Sequence, residues 1–258
     1  MNKILLALYL IGTCISSNCI AEETIRISTG EFPPYLSENL AHNGVGLRII
    51  KEAFALEGVK VEYGFFPWKR SYKLAKTGEW DASATWGHNA DRDKHFYFSD
   101  PLYPARSVFF HLKSYQFDWN TLDDLKGISI GATQTYAYTP EFLEAIDKQT
   151  LNIELIASDE INFKKLLKGR TNIFPLNIDV AYALLANKFT LHERESITYH
   201  PRELYSIQTH LIFSKKNERN IRMLALFNSG LKRLRVSGKF GEYFEGIQRG
   251  EYVKKSNY

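Results

Sequence analysis

The segment from Asp81 to Pro101 concentrates side chains that could bind an anion. Its sequence, DASATWGHNADRDKHFYFSDP, leads from a predicted strand through Gly87-His88-Asn89 to Arg92. Ligands of α/β proteins bind beyond the carboxyl ends of strands, and an arginine guanidinium offers a planar fork for a carboxylate. Two interpretations remain open on this pattern alone. Arg92 binds a carboxylated ligand, or it is a surface residue that pairs with Asp91 or Asp93.

Other motifs of the chain do not indicate an enzyme, a metal site or a cofactor site. Gly127 to Gly131 matches the G-x-S-x-G pattern of a nucleophile elbow, which needs its serine on a turn between a strand and a helix. Here a predicted helix ends at Gly127, and Ser129 lies within the next predicted strand. The 7 histidines form no metal-ligand spacing, and no glycine-rich phosphate or dinucleotide motif occurs. We therefore expect no catalytic residue, no metal and no cofactor.

Residues 1–21 have the pattern of a secretory signal peptide. Lys3 precedes an apolar run from Ile4 to Ile15, and small residues, Cys19 and Ala21, occupy the positions before the predicted cleavage. The run is too short for a membrane anchor, because the roughly 30 Å hydrocarbon core takes about 20 residues. A lipoprotein is an alternative, since residues 11–14 loosely resemble a lipobox. We expect cleavage after Ala21 and a periplasmic protein.

Cleavage changes the composition of the working protein. It leaves 237 of the 258 residues and removes both cysteines, so no disulfide and no thiolate metal site can form. The net charge of +4 becomes +3, which is too small to indicate nucleic-acid binding. The remaining length accommodates two modest domains.

Strand and helix patterns alternate along this chain in two similar series. Predicted strands lie at 24–29, 59–65 and 81–85 in the first series, at 128–132, 153–156 and 172–176 in the second, and at 208–213. A long amphipathic helix follows the last strand and ends at Gly238. This alternation predicts an α/β fold with a largely parallel sheet. Since no Pro-, Gly- or Ser-rich linker separates the series, we expect strands to cross directly between two lobes, with a ligand cleft between them.

Five short motifs follow one another along the chain. They are Gly30-Glu31-Phe32-Pro33-Pro34-Tyr35 with Gly44-Val45-Gly46, Gly78-Glu79-Trp80-Asp81, Arg92 seven residues before Ser99, Leu122-Asp123-Asp124-Leu125-Lys126-Gly127 with Ile130-Gly131, and Gly169-Arg170-Thr171. In this order they resemble the periplasmic solute-binding proteins of family 3, whose best-known members bind polar amino acids for ABC importers. The resemblance covers the whole mature chain.

The resemblance implies a two-lobed α/β fold of the type II periplasmic-binding-protein (Venus-flytrap) kind with two hinge crossovers. We expect a signal peptide at 1–21, one lobe from 22–110 plus 206–258, and a second lobe from 111–205.

The resemblance also implies ligand-binding residues. Tyr35 and Trp68 fall where aromatic side chains enclose the side chain of the ligand. Arg92 falls on the arginine that binds the α-carboxylate, and Thr135 lies near the position that helps to hold that group. Trp86 lies where a strand end lines the cleft.

One position departs from the family pattern. Amino-acid binders place an aspartate eight residues after the glycine of the G-R-x-D motif, where it pairs with the α-ammonium group, and this chain has Asn177 there. Asp179 is near, but a helix at roughly 100° per residue would turn it about 200° away from Asn177. Glu31 could take the role. A carboxylated solute is therefore better supported than an amino acid in particular.

These inferences predict an exported, monomeric, non-enzymatic protein that captures a small carboxylated solute, an amino acid or a related compound, for an ABC permease. No nucleic-acid partner is expected. Two alternatives stay open. One is a prephenate-type dehydratase on the same scaffold, with Glu31 as the candidate general acid. The other is a ligand-sensing subunit of a receptor in the inner membrane.

Overall fold

The structure is a computed structural model that describes residues 23–134, 136 and 138–253. Its strands are β1 (Glu23–Thr29), β2 (Val59–Phe65), β3 (Ala82–Gly87), β4 (Phe96–Phe98), β5 (Pro104–Leu112), β6 (Ile130–Thr133), β7 (Ile153–Ile156), β8 (Ile173–Asn177) and β9 (Ile197–Ser214). Its α-helices are α1 (Val45–Ala55), α2 (Trp68–Thr77), α3 (Ala90–Asp93), α4 (Pro140–Asp147), α5 (Asp159–Leu167), α6 (Ile178–Lys188), α7 (Leu191–Ser196), α8 (Arg219–Val236) and α9 (Lys239–Gln248). Short 3-10 helices occupy Ala41–Asn43 and Leu122–Leu125. The predicted α/β alternation is confirmed.

One curled sheet runs through both lobes in the order β2-β1-β3-β9-β5-β8-β6-β7, with β4 paired to β9. β1 is parallel to β2 and β3, and β6 is parallel to β7 and β8. A helix connects each of these parallel pairs, as parallel pairing requires. β5 and β9 are antiparallel to their neighbours and join the two parallel sets.

The helix starts in the second lobe follow from capping residues. Thr139 Oγ1 accepts a hydrogen bond from Phe142 N at 3.2 Å, and Pro140 occupies the first turn of α4. A hydroxyl cap followed by proline satisfies helix N–H groups that otherwise have no partner. Thr121 forms a capping box with Asp124 at the start of the 3-10 helix Leu122–Leu125.

The first lobe is built around apolar residues from both ends of the chain. Ile25, Ile27, Phe54, Phe213 and Phe227 are fully buried in one cluster. They come from β1, α1, β9 and α8 in turn. Burial of each such side chain contributes roughly 1.5–3 kcal/mol, so the C-terminal helices are part of this lobe rather than an appendage.

The second lobe has a core on each face of its sheet. Phe109 and Phe110 are neighbours on β5, and adjacent side chains of a strand point to opposite faces. Phe109 packs with Phe142, and Phe110 packs with Phe163 and Phe174 in a separate cluster. The sheet is therefore covered by α4 on one face and by α5 and α6 on the other.

β5 and β9 cross between the lobes side by side. Pro104 pairs with Gln208 and Ser107 with Tyr205, and the register then shifts between Ser107 and Phe110. Such shifts mark β-bulges, where a strand bends. In the described part of the chain, no helix has the length and hydrophobicity needed to cross a membrane.

Candidate functional site

A cavity of about 360 Å³ lies where the two lobes meet. The first lobe contributes Phe32, Thr85 and Gly87 to its wall. The second lobe contributes Tyr136, Tyr138, Pro175, Leu176, Asn177 and Val180, and the crossing strands contribute Ala105, Ser107, Tyr205, Ile207 and Thr209. β3 and β8 end at this wall, because Gly87 and Asn177 are their last residues. The cavity therefore lies at the carboxyl ends of strands, where α/β folds bind ligands.

Asn177 caps the first turn of α6. Its Oδ1 accepts hydrogen bonds from Asp179 N at 3.0 Å and Val180 N at 3.1 Å. These N–H groups begin the helix and have no carbonyl partner within it. The side-chain oxygen of Asn177 therefore stabilises the start of α6.

Tyr35 links the first lobe to this helix start. Its hydroxyl lies 3.0 Å from Asn177 Oδ1 and 2.5 Å from Asp179 Oδ2. The side chain is 0% exposed, and its ring lies between Phe32, at 5.2 Å, and Tyr103, at 4.7 Å. The Tyr35 ring thus stacks on two other rings. In this arrangement Tyr35 connects the lobes and does not line the cavity.

The prediction that Asp179 faces away from Asn177 is wrong, because both side chains reach the Tyr35 hydroxyl. The rotation of roughly 100° per residue holds only inside a helix. Asn177 is the cap, with extended backbone angles (φ −61°, ψ 134°), and α6 begins at Ile178. The helical rotation was therefore counted from Asn177, one residue before the helix begins.

The carboxyl group of Asp179 lies in a weakly hydrated environment. Burial raises the pKa of Asp179, although the hydrogen bond from Tyr35 and the charge of Arg106 act in the opposite direction. Burial, followed by the nearby Asp179 charge, also raises the pKa of Tyr35 well above its ordinary value. Both groups are therefore biased toward their neutral forms.

Arg92 adjoins the cavity through Gly87. Asn89 caps α3 by accepting a hydrogen bond from Arg92 N at 2.9 Å. The guanidinium Nη1 donates to Gly87 O at 2.6 Å, and the guanidinium carbon Cζ lies 4.9 Å from the centre of the Trp86 ring. Asp91 forms an ion pair with Lys94. Asp93 Oδ1 lies 2.9 Å from His88 Nε2, so each acid beside Arg92 has another partner.

Trp68 and Trp86 form one cluster with Arg92. The two indole rings meet edge to face at 5.2 Å. Trp68 Nε1 donates to Glu31 O at 3.3 Å, and Trp86 Nε1 donates to Ser83 Oγ at 2.8 Å. The structure therefore brings three of the predicted residues together; none of them is in the cavity wall, which the cluster adjoins through the bond of Arg92 to Gly87.

Glu31 and Thr135 are the remaining predicted residues. The Glu31 side chain accepts a hydrogen bond from Glu38 N at 2.9 Å and is not in the cavity wall. Thr135 lies outside the described residues. Its neighbour Tyr136 lines the cavity and donates to Asp159 Oδ2 at 2.6 Å.

Sequence reasoning did not select the aromatic residues of the wall: Phe32, Tyr136, Tyr138 and Tyr205. A signal for two of them is present in the sequence. Tyr136 and Tyr138 follow directly after β6, and residues that follow a parallel strand face the ligand side of the sheet. Tyr205 lies on a crossing strand whose extent the sequence did not reveal.

The family model of bacterial extracellular solute-binding proteins, family 3, matches residues 25–246. This chain belongs to that family. Members are binding proteins, and the family is an extracellular one. The predicted membership is therefore confirmed. Among curated proteins, no sequence matches this chain.

Solved structures of binding proteins share the fold of this family member. A substrate-binding domain assigned to an amino acid ABC transporter of Streptococcus pneumoniae has 19% identity and a TM-score of 0.69, covering 88% of this chain and 100% of that one. Substrate-binding domain 2 of Lactococcus lactis GlnP, in an open conformation, has 14% identity and a TM-score of 0.68, covering 92% and 98%. An ancestral cationic amino acid solute-binding protein has 21% identity and a TM-score of 0.65, covering 87% and 95%. These likenesses confirm the two-lobed type II fold.

Proposed function

We propose that this protein is exported and captures a small carboxylated solute between its lobes for delivery to an ABC permease in the inner membrane. The observation that carries the proposal is the cavity that both lobes and both crossing strands line. A solute in such a cavity is enclosed when the lobes close, which is the usual motion of binding proteins of this kind. The amino-acid transporter domains of the same fold support this role.

Arg92 is the proposed partner of the carboxylate. One guanidinium nitrogen is held by Gly87 O, and a guanidinium has five N–H donors in a fixed plane. The remaining donors can therefore bind a carboxylate at the edge of the cavity. The Trp86 ring under the guanidinium restricts its plane.

The other predicted residues have proposed roles of different kinds. Trp68 and Trp86 would contact the apolar part of the solute from the first lobe, and Thr135 would donate a hydrogen bond from the second. Tyr35 and Asn177 would act through the hydrogen bond that joins the lobes. A contact from Glu31 stays a prediction.

Calorimetric titration of Arg92→Gln tests the proposal. We expect at least tenfold weaker binding of the carboxylated solute, because a hydrogen-bonded charge contributes about 1.5–3 kcal/mol. Arg170→Gln is the matched control, since Arg170 is exposed and precedes β8 at the strand end opposite Asn177. Unchanged affinity in Arg92→Gln would show that the assigned role is wrong.

We propose binding without catalysis. The predicted general acid, Glu31, is engaged by a backbone N–H group of its own loop and does not line the cavity. A dehydratase would need an acid within hydrogen-bond reach of its substrate. Solute uptake by cells that lack the protein would separate import from sensing.

The organisation of the chain is part of the same proposal. Residues 1–21 would be removed as a signal peptide, residues 22–110 with 206–258 would form one lobe, and residues 111–205 the other. The register shifts between Ser107 and Phe110 support a hinge at this level of the crossing strands. The protein would act as a monomer.

A further inference from the structure

The wall of the interlobe cavity carries no charged side chain among the described residues. Four of its members, Phe32, Tyr136, Tyr138 and Tyr205, are aromatic. Thr135 and Ala137 lie outside the described residues and are uncharged by residue type. A cation, Arg92, adjoins the wall through its bond to Gly87. A ligand in this cavity therefore meets rings, hydroxyl groups and one amide, with positive charge at one edge.

The one amide of this wall has no acceptor capacity left for a ligand. Asn177 Oδ1 already lies 3.0, 3.1 and 3.0 Å from Asp179 N, Val180 N and Tyr35 Oη. An amide oxygen has two lone pairs. An ammonium group of a ligand would bring three N–H donors and a full positive charge to an oxygen that already accepts from two backbone N–H groups and adjoins the Tyr35 hydroxyl.

Asp179 does not make up for this. Its carboxyl group is not part of the cavity wall, and its Oδ2 is 2.5 Å from the Tyr35 hydroxyl. The stacked rings of Phe32, Tyr35 and Tyr103 occupy the first-lobe side of this contact. A buried charge without a partner costs several kcal/mol. An ammonium group in the cavity would meet that cost with only aromatic ring faces and hydroxyl groups to offset it, whereas a carboxylate at the Gly87 edge lies near Arg92.

We propose that the preferred ligand is an aromatic or branched aliphatic carboxylic acid without an α-ammonium group, such as 3-phenylpropanoate. The inference rests on the proposed function, since it takes the cavity as the solute site and Arg92 as the carboxylate partner. The apolar body packs on Phe32, Tyr136 and Tyr138, whose rings favour offset or edge-to-face contacts. The volume of about 360 Å³ is at the small end of ligand pockets, which span roughly 300–1,000 Å³.

Calorimetric titration of matched pairs tests this inference. The pairs are 3-phenylpropanoate with L-phenylalanine and 4-methylpentanoate with L-leucine, and L-glutamine and L-arginine complete the panel. We expect the better acid to bind at least tenfold more tightly than its amino-acid counterpart, and Arg92→Gln to weaken it. An amino acid that binds as tightly as the acids, and depends on Arg92, overturns the inference and leaves the proposed function standing. Failure of every carboxylate in the panel to bind, or binding that ignores Arg92→Gln, overturns both.

Asn177→Asp supplies an independent test in a variant that should fold. Aspartate caps helices as well as asparagine does, and the change adds a negative charge to the cavity wall. We expect the preference for 3-phenylpropanoate over L-phenylalanine to fall at least tenfold. Asn172→Asp is the matched control, since Asn172 accepts a hydrogen bond from Ser129 N just before the start of β8. A preference that stays unchanged in Asn177→Asp contradicts the inference.

Discussion

The Tyr35 hydroxyl has one proton and two acceptors within reach. It can donate to Asn177 Oδ1, at 3.0 Å, or to Asp179 Oδ2, at 2.5 Å, but not fully to both. When Asp179 is protonated, its carboxyl group donates to Tyr35 and Tyr35 donates to Asn177. All three groups are then satisfied. The neutral form of Asp179, which burial favours, therefore completes the contact between the lobes.

Replacing Tyr35 by phenylalanine tests the contribution of this hydroxyl. We expect the free energy of unfolding to fall by about 1–3 kcal/mol, because Asp179 and Asn177 both lose a hydrogen-bond partner in a buried site. Urea denaturation followed by tryptophan fluorescence measures the change. Tyr182→Phe is the control, since Tyr182 is half-buried on α6 and packs by its ring on Phe110 and Tyr199. Equal losses in the two variants would refute the role of the Tyr35 hydroxyl.

At this scale, the side-chain contacts of the predicted residues could be foreseen only in part. Trp68, Trp86 and Arg92, which the family resemblance assigns to the ligand, contact one another but are not in the cavity wall. The burial of Tyr35 between two rings was not predictable, because Tyr103 is 68 residues away in the sequence. The error at Asp179 came from the unrecognised cap at Asn177.

At the scale of elements, α8 approaches α1 closely at one glycine. A β-carbon placed on Gly230 would lie 2.0 Å from Ala53 O, a backbone atom that cannot rotate away. The lack of a side chain at Gly230 therefore allows α1 and α8 to pack this closely. Both helices contribute residues to the first-lobe core.

Gly230→Ala should destabilise the protein by about 1–3 kcal/mol or more, the cost of forcing atoms into a packed interior. Gly241→Ala is the control, because Gly241 lies within α9 and a β-carbon there would meet nothing within 4 Å. In that helix alanine should be neutral or stabilising by roughly 0.5–1 kcal/mol. Thermal unfolding of both variants gives the comparison. If Gly230→Ala unfolds no earlier than Gly241→Ala, the helix contact is not as described.

Elements with clean periodicity were predictable from the sequence, and the crossing strands were not. β2 was predicted with its observed ends, 59–65. Only residues 208–213 of β9 were predicted, although the strand has 18 residues. The preceding part of the strand does not alternate between buried and exposed residues, since residues 201–203 and 206–208 are all exposed. Exposure on both faces follows from the position of these residues between the lobes.

At the scale of the whole molecule, the charge state of Asp179 should affect the balance between closed and open lobes. The groups that face it are Tyr35 on the first lobe, with Tyr103 behind it, and Arg106 and Tyr182 on the second lobe and its crossing strand. The raised pKa belongs to the buried state, and a hydrated aspartate titrates near 3.9. The contribution to closure is therefore complete below that value and is lost as pH rises through the raised pKa.

Small-angle scattering of the ligand-free protein between pH 4 and 8 measures this effect. We expect a smaller radius of gyration toward the acidic end, and Asp179→Asn, which keeps the neutral shape, should remove most of the dependence. Other carboxyl groups titrate equally in both proteins, so the difference between them isolates Asp179. If the two proteins differ in radius of gyration by the same amount at every pH from 4 to 8, the prediction is contradicted.

The long strand β9 also constrains the order in which the lobes can fold. The first-lobe core needs Ile25 and Phe54 from the start of the chain together with Phe213 and Phe227 from its end. The two clusters of the second lobe draw on residues between Val108 and Tyr205. During synthesis, the core residues of the second lobe are therefore all present before those of the first. The chain segment that emerges first then finishes folding last, because β3 and β4 can pair with β9 only once that strand is present.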